Sequence, residues 1–283
     1  MLSSGPMSVE IRDVERQSEY EACARLQIDV WGFPEIEVVP AGYLIAMHHY
    51  SGTCIGAFDA ERMVGFVCGF GGWDGERAFH HSHMLAVLPE YRGQQIGENL
   101  KWAQRERVLA QGLDLINWTF DPLQAPNANL NINRLGCVAN RYIVNFYGVS
   151  DSPLHGGIPT DRFEAEWHLN SERVSNASAG RFNEWPGWEA LPRANRTHLT
   201  PDGLLACEER LDLKLDVDAL LIEVPKTITD LMAKNRDLAL EWRHRARTLF
   251  QGYFAKGYRV EGLHRGETSA LYRLVRGRTE TSD

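Results

Sequence analysis

The stretch that decides the fold runs from His81 to Gly97 and reads HSHMLAVLPEYRGQQIG. Its first half has the composition of a strand closed by Pro89, and helical spacing of apolar residues begins after its glycines. A strand that passes through a short turn into a helix leaves several backbone N–H groups unpaired, with the helix dipole behind them. The segment therefore predicts an anion site for a group such as a diphosphate, with Arg92 as a fixed positive charge.

Two glycines of this turn, Gly93 and Gly97, strengthen the prediction because they let the backbone approach a diphosphate without an intervening Cβ. The alternative is an ordinary strand-to-helix turn, and the glycines alone do not decide between the two.

The wider spacing resembles the acetyl-CoA site of the GNAT (GCN5-related N-acetyltransferase) superfamily. The signature there is a Leu-x-Val strand, then Pro-x-Tyr-Arg-Gly, then a glycine-rich helix start. The matching positions here are Leu85, Val87, Pro89, Tyr91, Arg92, Gly93 and Gly97. The resemblance implies that the strand backbone pairs with the pantetheine arm and that the turn amides hold the pyrophosphate. The cofactor contacts it implies are Leu85, Val87, Arg92, Gly93, Gln94, Gln95, Ile96 and Gly97.

One position departs from that pattern, because the family usually has glycine where this chain has Gln95. A side chain there would crowd the diphosphate. A second family element, an Asn-rich helix ending in Leu-Gly, matches the segment Asn127–Gly136 and adds Asn129 to the implied cofactor contacts. The tyrosine that often serves there as general acid is replaced by Ile132. The alternative for the asparagines is a solvated polar helix face.

His81 and His83 lie two apart on the predicted strand, so both point to one side. Paired histidines at this position look like those of the arylalkylamine N-acetyltransferase branch, where they assist deprotonation. An imidazole with a pKa of about 6.5 suits a base at neutral pH, and we take His83 first and His81 second. The alternatives are packed or surface histidines, and a His-x-His metal site for which no third ligand is evident. We expect no metal.

The general acid is sought on the strand predicted from Cys137 to Tyr147. Tyrosine suits the role because its hydroxyl keeps its proton up to a pKa of about 10, and Tyr147 is our candidate, ahead of Tyr142. The alternative for both is a core or cross-strand aromatic residue. Cys137 is disfavoured as a nucleophile, because the family transfers the acetyl group directly and a buried cysteine is usually inert.

Composition excludes several classes of protein. The 283 residues carry 30 basic and 38 acidic side chains, a formal charge of −8, which argues against a nucleic-acid partner. Five scattered cysteines without a Cys-x-x-Cys pair argue against a disulfide framework or structural zinc and favour a reducing cytoplasm. We read neither a signal peptide nor a membrane anchor, and expect a cytoplasmic protein, with a homodimer left open.

Periodicity predicts an α/β fold, and the resemblance implies a GNAT-like mixed, mostly antiparallel sheet flanked by helices. We expect three parts: a GNAT-like acetyl-CoA-binding domain (7–170), a linker or long loop (171–200), and a smaller C-terminal α/β segment (201–283) packed on the first domain or on a second chain. The predicted strands are 9–14, 53–58, 63–70, 79–88, 113–120, 137–147, 162–169, 220–224, 258–264 and 270–275. The predicted helices are 16–30, 41–49, 94–111, 127–135 and 227–256.

The function implied by the resemblance is N-acetyl transfer from acetyl-CoA, as cosubstrate, directly to a primary amine. The sequence does not choose between a small amine, an amino acid and a peptide or protein amine. Trp31, Trp73 and Trp118 are candidates to line the acceptor pocket, with a core role as the alternative. Gln95 and Ile132 support a rival, a non-catalytic acyl-CoA-binding or regulatory module with the same fold. A further rival is a scaffold in which the C-terminal segment mediates self-association.

Overall fold

The computed structural model describes residues 9–148, 157–181 and 185–277. They divide into two compact units. The first contains residues 9–118 and 168–170, and the second contains 119–148, 157–167, 171–181 and 185–277. The predicted α/β fold with mostly antiparallel strands flanked by helices is confirmed. The predicted division into parts 7–170 and 201–283 concerns independent domains and stays a prediction.

The first unit is built on strands in the order β1-β2-β3-β4-β5. Neighbouring strands are antiparallel except for β4 and β5, which run parallel. The strands are β1 (Glu10–Asp13), β2 (Thr53–Asp59), β3 (Arg62–Trp73), β4 (Ala78–Val87) and β5 (Leu115–Phe120). The helices are α1 (Gln17–Trp31), α2 (Ala41–Tyr50) and α3 (Ile96–Ala110).

The second unit has five antiparallel strands in the order β7-β6-β11-β12-β10, with β8 and β9 as a separate pair. The strands are β6 (Val138–Ile143), β7 (Arg162–His168), β8 (Thr197–Leu199), β9 (Leu205–Cys207), β10 (Ala219–Pro225), β11 (Tyr258–Arg265) and β12 (Ser269–Arg276). The helices are α4 (Ala125–Ala128), continued by a π-helical turn (Asn129–Arg134), then α5 (Glu172–Ser178), α6 (Ile228–Lys234) and α7 (Arg236–Phe254).

The predicted single helix at 227–256 is wrong, because the chain breaks at Asn235. This residue has an extended backbone, and its side-chain oxygen accepts a hydrogen bond from the Leu238 amide at 3.0 Å. It therefore caps α7 and separates it from α6, since asparagine satisfies a first-turn amide that the helix itself leaves unpaired.

The predicted linker at 171–200 is also wrong in part. Ser171 caps α5 by accepting a hydrogen bond from the Val174 amide, and the segment further contains a 3-10 turn (Trp188–Ala190) and β8. Arg173 of α5 donates hydrogen bonds to the carbonyl oxygens of Gly136 and Ile132 at 3.0 and 2.9 Å. The segment is thus held to the second unit.

The strand predicted to reach Tyr147 ends at Ile143, and a turn follows. Asn145 has a φ of +50°, a left-handed conformation that ends a strand and that asparagine tolerates better than most residues. Its amide donates to a carboxylate oxygen of Asp161 at 3.0 Å. Tyr147 therefore lies in a turn past the end of β6.

Candidate active site

β4 and β5 separate soon after they meet. They pair only at His80 with Ile116 and at His81 with Asn117. β4 continues through residues 82–87, along which its other edge pairs with β3. Within the described residues no strand pairs with the β5-facing edge of that stretch. Its backbone N–H and C=O groups can therefore pair with an extended ligand, as strand edges do in β-augmentation.

The start of α3 lies against this open stretch. A Cβ built on Gly97 would lie 3.7 Å from a methyl carbon of Leu85 and 3.8 Å from one of Val87. The structure thus brings together the strand and helix-start residues that the sequence predicted for the cofactor. The contacts themselves stay a prediction.

The turn before α3 presents unpaired amides. The helix begins at Ile96, and no side chain among the described residues caps it. The first N–H groups of a helix have no intrahelical acceptor and lie at the positive end of its dipole. Arg92, Gly93 and Gln94 are exposed around them, and Arg92 Nε donates to the Val87 carbonyl oxygen at 3.3 Å. The arrangement can bind an anion.

Gln95 sits at the N-cap of α3 with a φ of +61°, the left-handed conformation that favours glycine. The left-handed conformation explains why the family pattern usually has glycine at this position. Gly93 has a φ of +80°, and among the described residues no atom beyond Gly93 itself and its two chain neighbours lies within 4 Å of a Cβ built on it. The turn therefore needs left-handed backbone at two positions, and only one of them is glycine.

His81 and His83 share one face of β4, as predicted, with ring centroids 6.0 Å apart. Phe70 of β3 contacts both rings, at 5.2 and 5.7 Å between centroids. The strand register shifts between Cys68 and Gly69, so His83 is the extra residue of a β-bulge. Bulges of this kind re-aim a side chain, and they occur often beside active sites.

The two imidazoles differ in their surroundings. His83 reaches the surface, yet the protein around its ring limits hydration and, together with the adjacent His81, lowers its pKa below the usual value. His83 is therefore neutral at pH 7. His81 is half-buried, and its Nδ1 lies 2.9 Å from Oδ1 of Asn117 on β5.

The opposite face of β4 carries a buried polar cluster that the sequence analysis missed. Lys101 Nζ donates to Ser82 Oγ at 2.8 Å and to Gln104 Oε1 at 3.0 Å, and His80 Nε2 lies 3.2 Å from Thr53 Oγ1. Burial and the charge of Lys101 lower the pKa of His80 to about 3. The alternation of polar residues on β4 could have indicated His80 and Ser82. No pattern in the sequence indicated that Lys101 and Gln104 face inward.

The tryptophans do not gather beside the histidines. The ring of Trp118 lies 3.6 Å from Lys101 Nζ, hence on the α3 side of the sheet and opposite the His81 face. Trp31 packs against Phe33 at 5.3 Å between centroids, and Trp73 is exposed at the end of β3. Trp118 is 8% exposed, which agrees with the core role, and its part in an acceptor pocket stays a prediction.

The two candidate acids lie in the second unit. Tyr147 is 51% exposed, with its ring 5.2 Å from the guanidinium carbon of Arg162 and its amide bonded to Thr160 Oγ1 at 2.9 Å. Tyr142 donates its hydroxyl proton to Asp161 at 2.8 Å, and burial raises its pKa well above the usual value. Tyr142 therefore fits a structural role.

Asn129 opens the π-helical turn of the second unit. Its Oδ1 accepts a hydrogen bond from Asn133 at 3.0 Å, and Asn133 also bonds the Leu263 carbonyl oxygen at 2.7 Å. Both asparagines line a pocket of about 620 Å³ in which the ring of Trp188 stacks on His264 at 4.1 Å. Ile132 is fully buried in the same turn.

Metal ligands and membrane spans were searched for within the described residues. There, no group of three or more His, Cys, Asp or Glu side chains is placed to hold a metal ion. No helix of that part of the chain is long and apolar enough to cross a membrane. All five cysteines are buried and unpaired by disulfides.

The segment that contains this geometry matches a known protein family. Residues 16–131 match the model of the acetyltransferase (GNAT) family. Over this segment the chain is similar to GNAT acetyltransferases. The GNAT match includes β4, the turn before α3 and both histidines, and ends within the Asn-rich segment. Enzymes of the GNAT family are N-acetyltransferases that use acetyl-CoA.

Several solved structures align with part of this chain. The ribosomal-protein-S18-alanine N-acetyltransferase from Escherichia coli shares 15% identity, with a TM-score of 0.47 over 58% of this chain and 96% of its own. Ard1 from Thermoplasma volcanium shares 16%, with 0.42 over 56% and 95%. A Salmonella typhimurium protein solved with its cofactor acetyl-CoA shares 13%, with 0.47 over 58% and 96%. No curated protein sequence matches the chain significantly.

Proposed function

We propose that this protein transfers an acetyl group from acetyl-CoA to a primary amine, in a small molecule or a peptide, by direct transfer within a ternary complex. The observation that carries the proposal is the early separation of β4 from β5. It opens a strand edge directly beside His81 and His83 and leads toward the uncapped start of α3.

The open edge of β4 and the turn offer acetyl-CoA two kinds of contact. The amide groups of the pantetheine arm are peptide-like, and Leu85 and Val87 supply a strand edge of matching chemistry. The diphosphate is an anion, and the first-turn amides of α3 with Arg92 supply N–H donors and positive charge. Asn129 stays a proposed contact to the cofactor.

The chemical step needs an unprotonated amine. In the proposal a histidine of the pair, His83 first, accepts a proton from the substrate ammonium, directly or through water. The amine nitrogen then attacks the thioester carbonyl carbon, and a backbone N–H of the β4 edge stabilises the developing oxyanion. The intermediate collapses as the C–S bond breaks, and the nitrogen loses its second proton to water. The low pKa of His83 supports this role, because the residue is a neutral acceptor at pH 7.

Protonation of the leaving thiolate is assigned to Tyr147. The side chain of Tyr147 is 51% exposed, which supports this choice, whereas the Tyr142 hydroxyl donates its proton to Asp161. The Tyr147→Phe variant should lower kcat more than about tenfold if the tyrosine is the acid, because general acids contribute about 10²-fold or more. An unchanged kcat would assign the proton to water. We also keep the cytoplasm as the proposed location, in agreement with five free, buried cysteines.

The test is release of free CoA from acetyl-CoA in the presence of a panel of amines: arylalkylamines, amino acids, polyamines and peptides with free N-termini or lysines. Amine-dependent release of CoA, with acetylated product seen by mass spectrometry, supports the proposed acetyltransferase activity. Tight binding of acetyl-CoA in calorimetry with no release for any amine favours the rival, a non-catalytic acyl-CoA-binding module. Two observations favour that rival: Ile132 in place of the family's tyrosine, and the strained Gln95.

A further inference from the structure

Asn117 lies on β5, and its side chain bonds a candidate base. It pairs with His81 across the parallel strands, at the last pair before β4 and β5 separate. Its Oδ1 lies 2.9 Å from Nδ1 of the imidazole. A side-chain carbonyl oxygen only accepts hydrogen bonds, so the ring nitrogen that faces it must carry a proton.

We infer that Asn117 is a positioning residue: its carbonyl oxygen keeps the proton of neutral His81 on Nδ1 and thereby makes Nε2 the basic nitrogen. Asn117 acts through His81. When Nε2 accepts a proton, the ring becomes a cation that still donates Nδ1–H to the same oxygen. The hydrogen bond then gains charge assistance, so the same contact serves both protonation states of the base.

The neighbours of the ring support a fixed orientation. Phe70 packs against His81 from β3, with centroids 5.2 Å apart and planes tilted by 46°. Titratable groups near it in the described part of the chain include His80 and His83 on its own strand, with Lys101 of α3 behind the strand, next to His80. These three groups are basic, and the oxygen of Asn117 is neutral, so Asn117 itself adds no negative charge that would hold a proton on Nε2.

This inference rests on the proposed function, in which the histidine pair takes a proton, but its first test does not use activity. Long-range ¹H–¹⁵N correlation spectra of the labelled full-length protein distinguish protonated from unprotonated imidazole nitrogens. Spectra of the His81→Gln variant assign the signals. We expect the Nδ1–H form of neutral His81 in the wild type and a mixture of both tautomers in Asn117→Leu. An Nε2–H form in the wild type, or an unchanged tautomer in Asn117→Leu, would overturn the inference.

Enzyme activity gives a second measurement, which would not change in this way if Asn117 had only a structural role. Asn117→Asp keeps the size and the acceptor but adds a negative charge, so it should move the acid limb of kcat/KM upward by about one pH unit or more. Asn117→Leu should lower kcat about tenfold or more with an unchanged Kd for acetyl-CoA. Asn140→Leu, the same change on an exposed strand residue of the second unit, is the matched control.

The experiments distinguish failure of the proposed function from failure of the inference about Asn117. If His81→Gln and His83→Gln both keep full turnover, the proposed use of the pair fails, whatever the spectra show. If turnover depends on His81 but the acid limb of Asn117→Asp stays at the wild-type pH, Asn117 does not act on the base and the inference fails. Should Asn117→Leu not fold, the isosteric Asp variant alone decides.

Discussion

At the scale of single residues, His80 couples protonation to folding. It is fully buried, and burial with the nearby Lys101 holds its pKa at about 3, compared with about 6.5 in an unfolded chain. The unfolded state takes up a proton below pH 6.5 whereas the folded state does not. The contribution of His80 to stability is therefore complete above pH 6.5 and is lost as the pH falls toward 3.

We accordingly predict that the free energy of unfolding falls more steeply between pH 6.5 and 5 in the wild type than in His80→Gln, by up to about 1.4 kcal/mol per pH unit. Urea titrations at several pH values measure it. His48 and His83, whose pKa values are also lowered, contribute equally to both proteins and cancel. Parallel curves for the two proteins would show that His80 takes up its proton in the folded state.

Gln95 gives a second prediction at this scale. Its left-handed φ costs a residue with a Cβ about 1–2 kcal/mol. Glycine removes this strain but also increases the conformational entropy of the unfolded chain, so Gln95→Gly should stabilise the fold by up to about 1 kcal/mol. Gln94→Gly is the matched control and should destabilise, because only three non-glycine described residues have a positive φ, and Gln94 is not one of them. Thermal melts of both variants compare them directly. Equal shifts in the melting temperatures of the two variants would show that Gln95 is not strained.

The sequence supported predictions for some of these residues and not for others. The pairing of His81 with His83 on one face follows from strand alternation, and it is confirmed. The bulge at His83 and the cluster behind it depend on which residues face each other across β3, β4 and α3, and a single sequence does not record those pairings. Nothing in the sequence marked Lys101 as buried, since a buried lysine is rare.

At the scale of elements, the strand–turn–helix unit from β4 to α3 carries the proposed cofactor site. Both elements were expected close to their observed limits, because periodicity is strong there and Pro89 ends the strand. The break of the C-terminal helix at Asn235 was missed. Because an apolar face continues on both sides of that residue, the hydrophobic pattern alone does not reveal the helix cap at Asn235.

Arg92 at this unit gives the third prediction. Arg92→Glu should weaken acetyl-CoA binding about tenfold or more, because a carboxylate would replace a positive charge beside the diphosphate. Isothermal titration calorimetry at two salt concentrations measures the loss, which should shrink at high salt. Arg196→Glu, an exposed site in the second unit, makes the same charge change and should leave the Kd unchanged. If both variants bind as the wild type does, the turn is not part of the site.

At the scale of the whole molecule, the C-terminal segment completes the second unit. Phe163 of β7 contacts Phe250 and Phe254 of α7 at 4.7 and 5.5 Å and Tyr272 of β12 at 5.6 Å between centroids. β6 pairs with β11 through Ala139 and Val260. Strands that precede residue 170 therefore share a core with elements that follow it.

We predict that a chain ending at Asn170 is less stable and less soluble than the full chain. Removing α7 and the last strands exposes Phe163 and the edge of β6, and each lost large apolar side chain forfeits about 1.5–3 kcal/mol of a total near 5–15 kcal/mol. Thermal melts and soluble yield measure the effect. A chain ending at Gly277, which keeps all these contacts, is the control. A 1–170 fragment that melts with the full chain would show that the C-terminal segment is a separate appendage.

The proposed function requires the histidine pair beside the open edge of β4 for acetylation of an amine. The most direct measurement is amine-dependent CoA release by the wild type and by the His81→Ala/His83→Ala double variant, with acetyl-CoA affinity measured in parallel. We expect a fall of about 10²-fold or more in kcat, loss of the imidazole-dependent rise in rate with pH, and an unchanged Kd for acetyl-CoA. Full turnover with a normal pH profile in the double variant would contradict the account.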